Sequence, residues 1–124
     1  MTACIESDLQ PNKLTKNILD SASVGIFWKD TSSRFVGSNI THQKFMGRSI
    51  DEMLGHTVEE IGAVSSQYPA LIDDAEILAG KSICHVAGRL LDGSNVPRDV
   101  IISKSPLVIG SQIVGIVGTI EEEF

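Results

Sequence analysis

From Lys13 to Ala22 apolar side chains recur at Leu14, Ile18 and Ala22, with Leu19 beside them, and this spacing predicts a short amphipathic helix. The period then shortens. Val24-Gly25-Ile26-Phe27-Trp28-Lys29-Asp30 reads as a strand, the polar Thr31-Ser32-Ser33 as a turn and Arg34–Gly37 as the returning strand of a first hairpin. Asn39 is placed to cap a helix over Ile40–Met46, which Gly47 closes. Ser49-Ile50-Asp51-Glu52 has capping-box spacing and stops at Gly55; Thr57-Val58-Glu59-Glu60 repeats the device and stops at Gly62. Helices this short do not stand alone, because nucleation is costly, so tertiary packing through Phe45, Met46, Ile50, Met53, Leu54, Val58 and Ile61 must hold them.

After a loop over residues 63–68, Pro69 is suited to the first turn of a longer helix ending before Gly80. Leu71, Ile72, Ala75, Leu78 and Ala79 form its apolar stripe; Asp73, Asp74 and Glu76 lie elsewhere, and Ile77 falls on an exposed face. Strands follow at Ile83–Leu91, Asn95–Ser103 and Gln112–Ile120. The pair Asp92-Gly93, between the first two, predicts a tight two-residue hairpin turn with positive φ angles. Gln112–Ile120 is apolar on both faces and therefore belongs in mid-sheet. The order of parts is α+β, with helices gathered on one face of a five-stranded sheet.

Composition narrows the function classes. The 124 residues suffice for one domain, expected over residues 13–122 behind a mobile tail at 1–12. Ten basic against sixteen acidic residues give a net charge of −6, which argues against nucleic acid as a partner. Apolar runs too short to span a bilayer argue against membrane insertion, and the lack of a signal-peptide core favours a cytoplasmic setting. Cys4 and Cys84 are too few for a disulfide framework, and Cys84 reads as a small buried hydrophobe. The carboxylates Asp73-Asp74, Glu59-Glu60 and Glu121-Glu122-Glu123 read as solvated faces, helix starts or a linker, without a partnered base or nucleophile. His42, His56 and His85 are widely spaced and read as surface or hydrogen-bonded histidines rather than metal ligands.

Taken in order, Ile18-Leu19-Asp20 before the first strand, Asp30 at the hairpin, Asn39 opening a helix, Glu52-Met53-Leu54-Gly55-His56, Asp92-Gly93-Ser94, and Ile113-Val114-Gly115-Ile116-Val117-Gly118 running into acidic residues resemble a PAS domain. This is a sensory module of bacterial signalling proteins. The resemblance implies a five-stranded antiparallel sheet in the order 2-1-5-4-3, short helices over one face and the N-terminal helix on or near the other. It also implies dimerisation through that helix, here by Leu14, Ile18 and Leu19.

Family pockets lie between the helices and the inner sheet face, which implicates Phe45, Met53, Ile61, Ile72 and Val117; the alternative is that these side chains simply fill the core. Trp28 is core or pocket wall, and Arg98, on the strand face of Val96, Val100 and Ile102, is the candidate anion-facing group. Trp28-Lys29-Asp30 also resembles a PAS subgroup attached to kinases and cyclic-dinucleotide enzymes. Haem-binding members commonly use a histidine on the long helix, and Pro69–Ala79 has none. Members that bind flavin covalently carry Asn-Cys-Arg where this chain has Thr57–Gly62, and Cys84 lies in a strand, unlike the chromophore-bearing cysteine of the photoactive yellow protein type. Haem and covalent flavin are thus disfavoured, while noncovalent flavin or another axial ligand stays open.

The expectation is a non-catalytic sensory domain, binding a small molecule or a protein partner as a homodimer. It would regulate an output domain, a histidine kinase or a GGDEF diguanylate cyclase, through a linker beginning at residues 121–124. The alternative is a ligand-free dimerisation module.

Overall fold

The computed structural model describes residues 10–122 except 66, 68 and 70–72. Among the described residues, β1 (Gly25–Lys29), β2 (Phe35–Ser38), β3 (Ile83–Leu91), β4 (Pro97–Ile109) and β5 (Gln112–Glu122) form one antiparallel sheet in the order β2-β1-β5-β4-β3. The helices are α1 (Lys13–Asp20), α2 (Ile40–Met46), α3 (Ile50–Met53) and α4 (Asp74–Leu78).

Strand alternation sorts the side chains. Phe27 pairs with Gly118, Lys29 with Ile116, and Ile102 with Ile120, so these residues share the inner face. Phe27, Met46, Met53, Leu90, Val100, Ile102 and Ile120 form the core between that face and the helices. Burying a side chain of this size stabilises by about 1.5–3 kcal/mol. Ile26, Trp28 and Val117 point to the opposite face, where they share a groove with Pro11, Thr15 and Leu19, so α1 lies beside the outer side of the sheet. The strand expected to be central, β5, is central, with β1 and β4 on its two sides.

Asn39 ties these layers together. Its side-chain oxygen accepts from the backbone N–H of Ile26 and His42, each at 2.9 Å, and its amide donates to the carbonyls of Leu19 at 2.8 Å and Val24 at 3.0 Å. One buried side chain thus caps α2 and fixes the end of α1 against the start of β1. The capping box at Ser49 and Glu52 forms as expected. Around Thr57–Glu60 the reciprocal bonds also form, but the segment makes hydrogen-bonded turns rather than a helix.

Four further expectations are corrected. The hairpin at Asp92 is a loop over residues 92–96 instead of a two-residue turn: the Asp92 carboxylate accepts from Ser94 N–H at 2.8 Å and Val96 N–H at 3.0 Å, and the positive φ falls on Asn95. Gly93 serves close approach, donating its N–H to the Met46 carbonyl at 2.8 Å. β4 continues past Ser103 to Ile109 and turns at Gly110-Ser111, where Gly110 has a φ of 64°. Cys84 is exposed, because the β3–β4 register shifts between Ile83 and Val86, with His85 at positive φ. Finally, Ile77 is wholly buried and Ala75 exposed. Asp74 turns inward, and Ile77, three residues on, shares its side of the helix. Ile72 and residues 1–9 of the expected tail lie outside the described residues.

A Cβ on Gly93 would run into the carbonyl oxygen of Gly47, a backbone atom that cannot swing aside. Gly93→Ala is expected to lower stability by about 1–3 kcal/mol, while Ser94→Ala stays within about 0.5 kcal/mol. Urea unfolding of the two variants beside the unaltered chain measures the difference, and equal midpoints would remove this contact from the account.

Candidate functional site

Because Phe27 faces the core, the strand period sends Lys29 inward as well. On β4 the same period aligns Val100, Ile102 and Lys104, and Lys104 pairs with Gly118 of the central strand. Asp74, in the first turn of α4 after its cap Asp73, reaches between them. Its carboxylate accepts from Lys29 Nζ at 2.9 Å and Lys104 Nζ at 3.2 Å. Lys29 is 1% exposed and Lys104 9%. The Lys29 ammonium also lies 4.9 Å from the centre of the Phe35 ring, which gives it a cation–π contact.

Lys29, Lys104 and Phe35 border a cavity of about 40 Å³ beneath the helices. One ordered water needs ~10–15 Å³, so the space suits roughly three waters or a ligand of about four non-hydrogen atoms. Its walls are mostly apolar, with Phe35, Val58, Leu90 and Ile102 among them, and its polar groups include Lys29, His42 and Lys104. His42 is buried beside Phe27, and its Nδ1 shares a 2.6 Å hydrogen bond with the Ser38 hydroxyl.

The charges do not balance within this cluster. Burial and the neighbouring Lys104 push the Lys29 pKa down, and the pull of Asp74 only partly offsets them. Burial would raise the Asp74 pKa, but the two ammonium groups outweigh it and hold the carboxyl below its ordinary value. Asp74 is satisfied twice while each lysine is satisfied once. Burial, then Lys29, drives the His42 pKa down to about 3, so the imidazole is neutral at pH 7.

Of the residues singled out from sequence, Trp28 and Val117 are on the outer face rather than in the cavity. Met53 is buried in the core and Ile61 and Phe45 pack against it, but none of the three borders the cavity. Arg98 is on the inner face beyond the cavity's edge, 5.8 Å from the Phe45 ring. Its guanidinium is bound to Asp92 at 3.0 Å and Glu122 at 3.1 Å, so it is already neutralised. Leu14 and Ile18 are exposed on α1, whereas Leu19 lies in the groove under it.

The polar groups of the cavity escaped the sequence reading. Lys29 shares the parity of Phe27, and a charge on core parity was the available signal. Lys104 lies one residue past the expected end of its strand, and Asp74 was assigned to a solvated face. Among the described residues, no group of three His, Cys, Asp or Glu side chains is placed to hold a metal ion.

The sequence matches no family model and no curated protein. Solved structures are similar. The PAS domain of nitrogen regulation protein NR(II) from Vibrio parahaemolyticus superposes with a TM-score of 0.70 at 16% identity, covering 90% of this chain and 100% of that one. A PAS domain from Colwellia psychrerythraea gives 0.69 at 16%, over 90% and 95%. A domain of the sensory box sensor histidine kinase/response regulator from Geobacter sulfurreducens gives 0.68 at 21%, over 86% and 90%. The chain has the PAS fold.

His42 makes stability depend on pH. The folded chain keeps this imidazole neutral down to about pH 3, while the unfolded chain protonates it below ~6.5. Its contribution is therefore complete above pH 6.5 and is lost as pH falls towards 3, at about 1.4 kcal/mol per pH unit. Between pH 7.5 and 5 the unaltered protein is expected to lose about 2 kcal/mol more than His42→Phe in urea unfolding. Parallel pH curves would show that His42 is not held neutral by the fold.

Proposed function

We propose that this chain is a sensory domain of a signal-transduction protein, reading the occupancy of its central cavity. The observation that carries the reading is the pair of buried lysines on the cavity wall, Lys29 and Lys104, both bound to Asp74. Buried ion pairs are poor stabilisers compared with apolar side chains of the same volume, so a cavity lined by them is suited to recognition rather than to holding the fold together. The similar Geobacter sulfurreducens structure is a domain of a sensor histidine kinase. By that analogy a histidine kinase is the output proposed here, with a GGDEF diguanylate cyclase as the other candidate.

The route outward would be β5. Lys104 pairs with Gly118 and Lys29 with Ile116, so both lysines flank the strand whose end, Thr119–Glu122, would feed an output linker. A ligand that binds one arrangement of this strand better than another shifts the populations by that difference in affinity.

Thermal unfolding in dialysable metabolite fractions from cells tests the reading. A fraction holding the ligand at a hundredfold excess over its Kd is expected to add about 2.7 kcal/mol, several degrees in Tm. Ile102→Trp, which fills the cavity, should abolish that shift. If every fraction leaves the unaltered protein unmoved, the sensory reading falls in favour of a ligand-free assembly module.

One observation favours the assembly reading on its own account: Leu14 is 69% and Ile18 62% exposed, side by side on α1. These large apolar side chains would be covered by the α1 of a second copy. Replacing both with Glu is expected to convert a dimer to a monomer in analytical ultracentrifugation, without loss of the far-ultraviolet helix signal. A dimer that persists would place the interface elsewhere.

A further inference from the structure

The two ammonium groups in the cavity wall share one carboxylate, that of Asp74. Lys29 and Lys104 are 1% and 9% exposed, and the Asp74 side chain between them is 12% exposed. Two further titratable residues border the same space: His42 is neutral and brings no compensating charge, and the charge of Arg89 is met by Asp99 at 2.8 Å. Glu59 attracts Lys29 only weakly, through space. An ammonium has three N–H donors, and Asp74 takes one from each lysine. Both lysines thus keep donors that Asp74 does not take, and both border a space whose walls include Phe35, Val58, Leu90 and Ile102. A cationic end and an apolar end within about 40 Å³ select a small occupant with an anionic head and a short alkyl tail.

We infer that the cavity binds a short-chain monocarboxylate of about two or three carbons, its head bridging Lys29 and Lys104 across from Asp74 and its alkyl end against Val58, Leu90 and Ile102. The inference rests on reading the cavity as the ligand site and names the class of ligand. Binding brings the cluster to two positive and two negative charges, so the occupant supplies the counter-charge that the protein lacks. A second carboxylate from the protein would have closed the site; its place is left to the ligand.

Isothermal titration with sodium acetate and sodium propionate at matched ionic strength, beside propionamide and sodium nitrate, tests this. The carboxylates are expected to bind one per chain with a Kd of about 0.1–10 mM, the range open to so small a ligand. Propionamide, equal in shape and uncharged, should not bind, and nitrate should bind more weakly than propionate. Lys104→Met leaves Lys29 and Asp74 as a balanced pair, so it should fold and weaken propionate by about thirtyfold or more. Should Lys104→Met not fold, Lys29→Met gives the same reading, and Asp74→Asn should tighten propionate instead. Equal binding of propionate and propionamide, nitrate binding as well as propionate, or undiminished affinity in the lysine variants would each overturn the inference. If the carboxylates do not bind while a metabolite fraction stabilises the unaltered protein and not Ile102→Trp, the ligand class falls and the sensory reading stands. If neither acts, both fall.

Discussion

The constraint that orders the interior of this molecule is the charge of two buried lysines, which Asp74 meets. Lys29 enters the interior because strand parity leaves no alternative once Phe27 is placed there, and an ammonium that is 1% exposed requires a counter-charge. Asp74 supplies it from α4, and in reaching Lys29 and Lys104 it fixes the rotation of that helix. Ile77 follows it into the interior and Ala75 is turned outward. A five-residue helix has too little propensity to choose its own face, so electrostatics chooses for it. Burial, with Lys29 adding to it, accounts for His42: a desolvated imidazolium would be a third cation there, and the ring stays neutral.

Around this polar centre the helix layer is held by satisfied hydrogen bonds, and an ion-pair clamp is added at the end of the central strand. Asn39 spends both ends of its carboxamide on backbone groups of α1, β1 and α2. Arg48 donates to the carbonyls of Ile61, Met46 and Leu91, joining the end of α2 to the end of β3. Each such bond contributes about 1 kcal/mol, and leaving one of these buried groups unpaired would cost more than that. The cavity therefore sits between the helix layer and a sheet whose central strand carries the lysines' neighbours, Ile116 and Gly118. The end of that strand is clamped: Arg98 holds Glu122 to Asp92, and Asp92 is itself locked in the loop that receives Gly93 against α2.

What could be read along the chain was whatever is decided locally. Asn39 as a cap, the box at Ser49 and Glu52, the hairpins and the two-faced greasiness of β5 all follow from neighbours a few residues apart, and the structure shows them. Three features were decided at a distance. Gly93 is needed because of Gly47, over forty residues away in sequence, so Asp92-Gly93 looked like a local turn. Asp74 looked solvated because acidic residues at a helix start usually are, and its partners are on β1 and β4. Lys29 was within reach of a parity argument, but a lone lysine in a strand is more easily assigned to an edge than to the interior.

The cavity's smallness and its charge pull the functional account in different directions, and magnitudes decide between them. A space of about 40 Å³ excludes any bulky occupant unless the core repacks, and filling it with a side chain would recover contacts worth about 1 kcal/mol per methylene. An assembly module would gain from that change and lose nothing. Keeping two buried ammonium groups there costs several kcal/mol before any partner is counted, far more than the void itself. Lys104→Met would relieve that cost while leaving the Lys29–Asp74 pair intact. The arrangement is therefore costly in the empty state and would be relieved by an entering anion, and such a difference between states is what a ligand-driven switch needs.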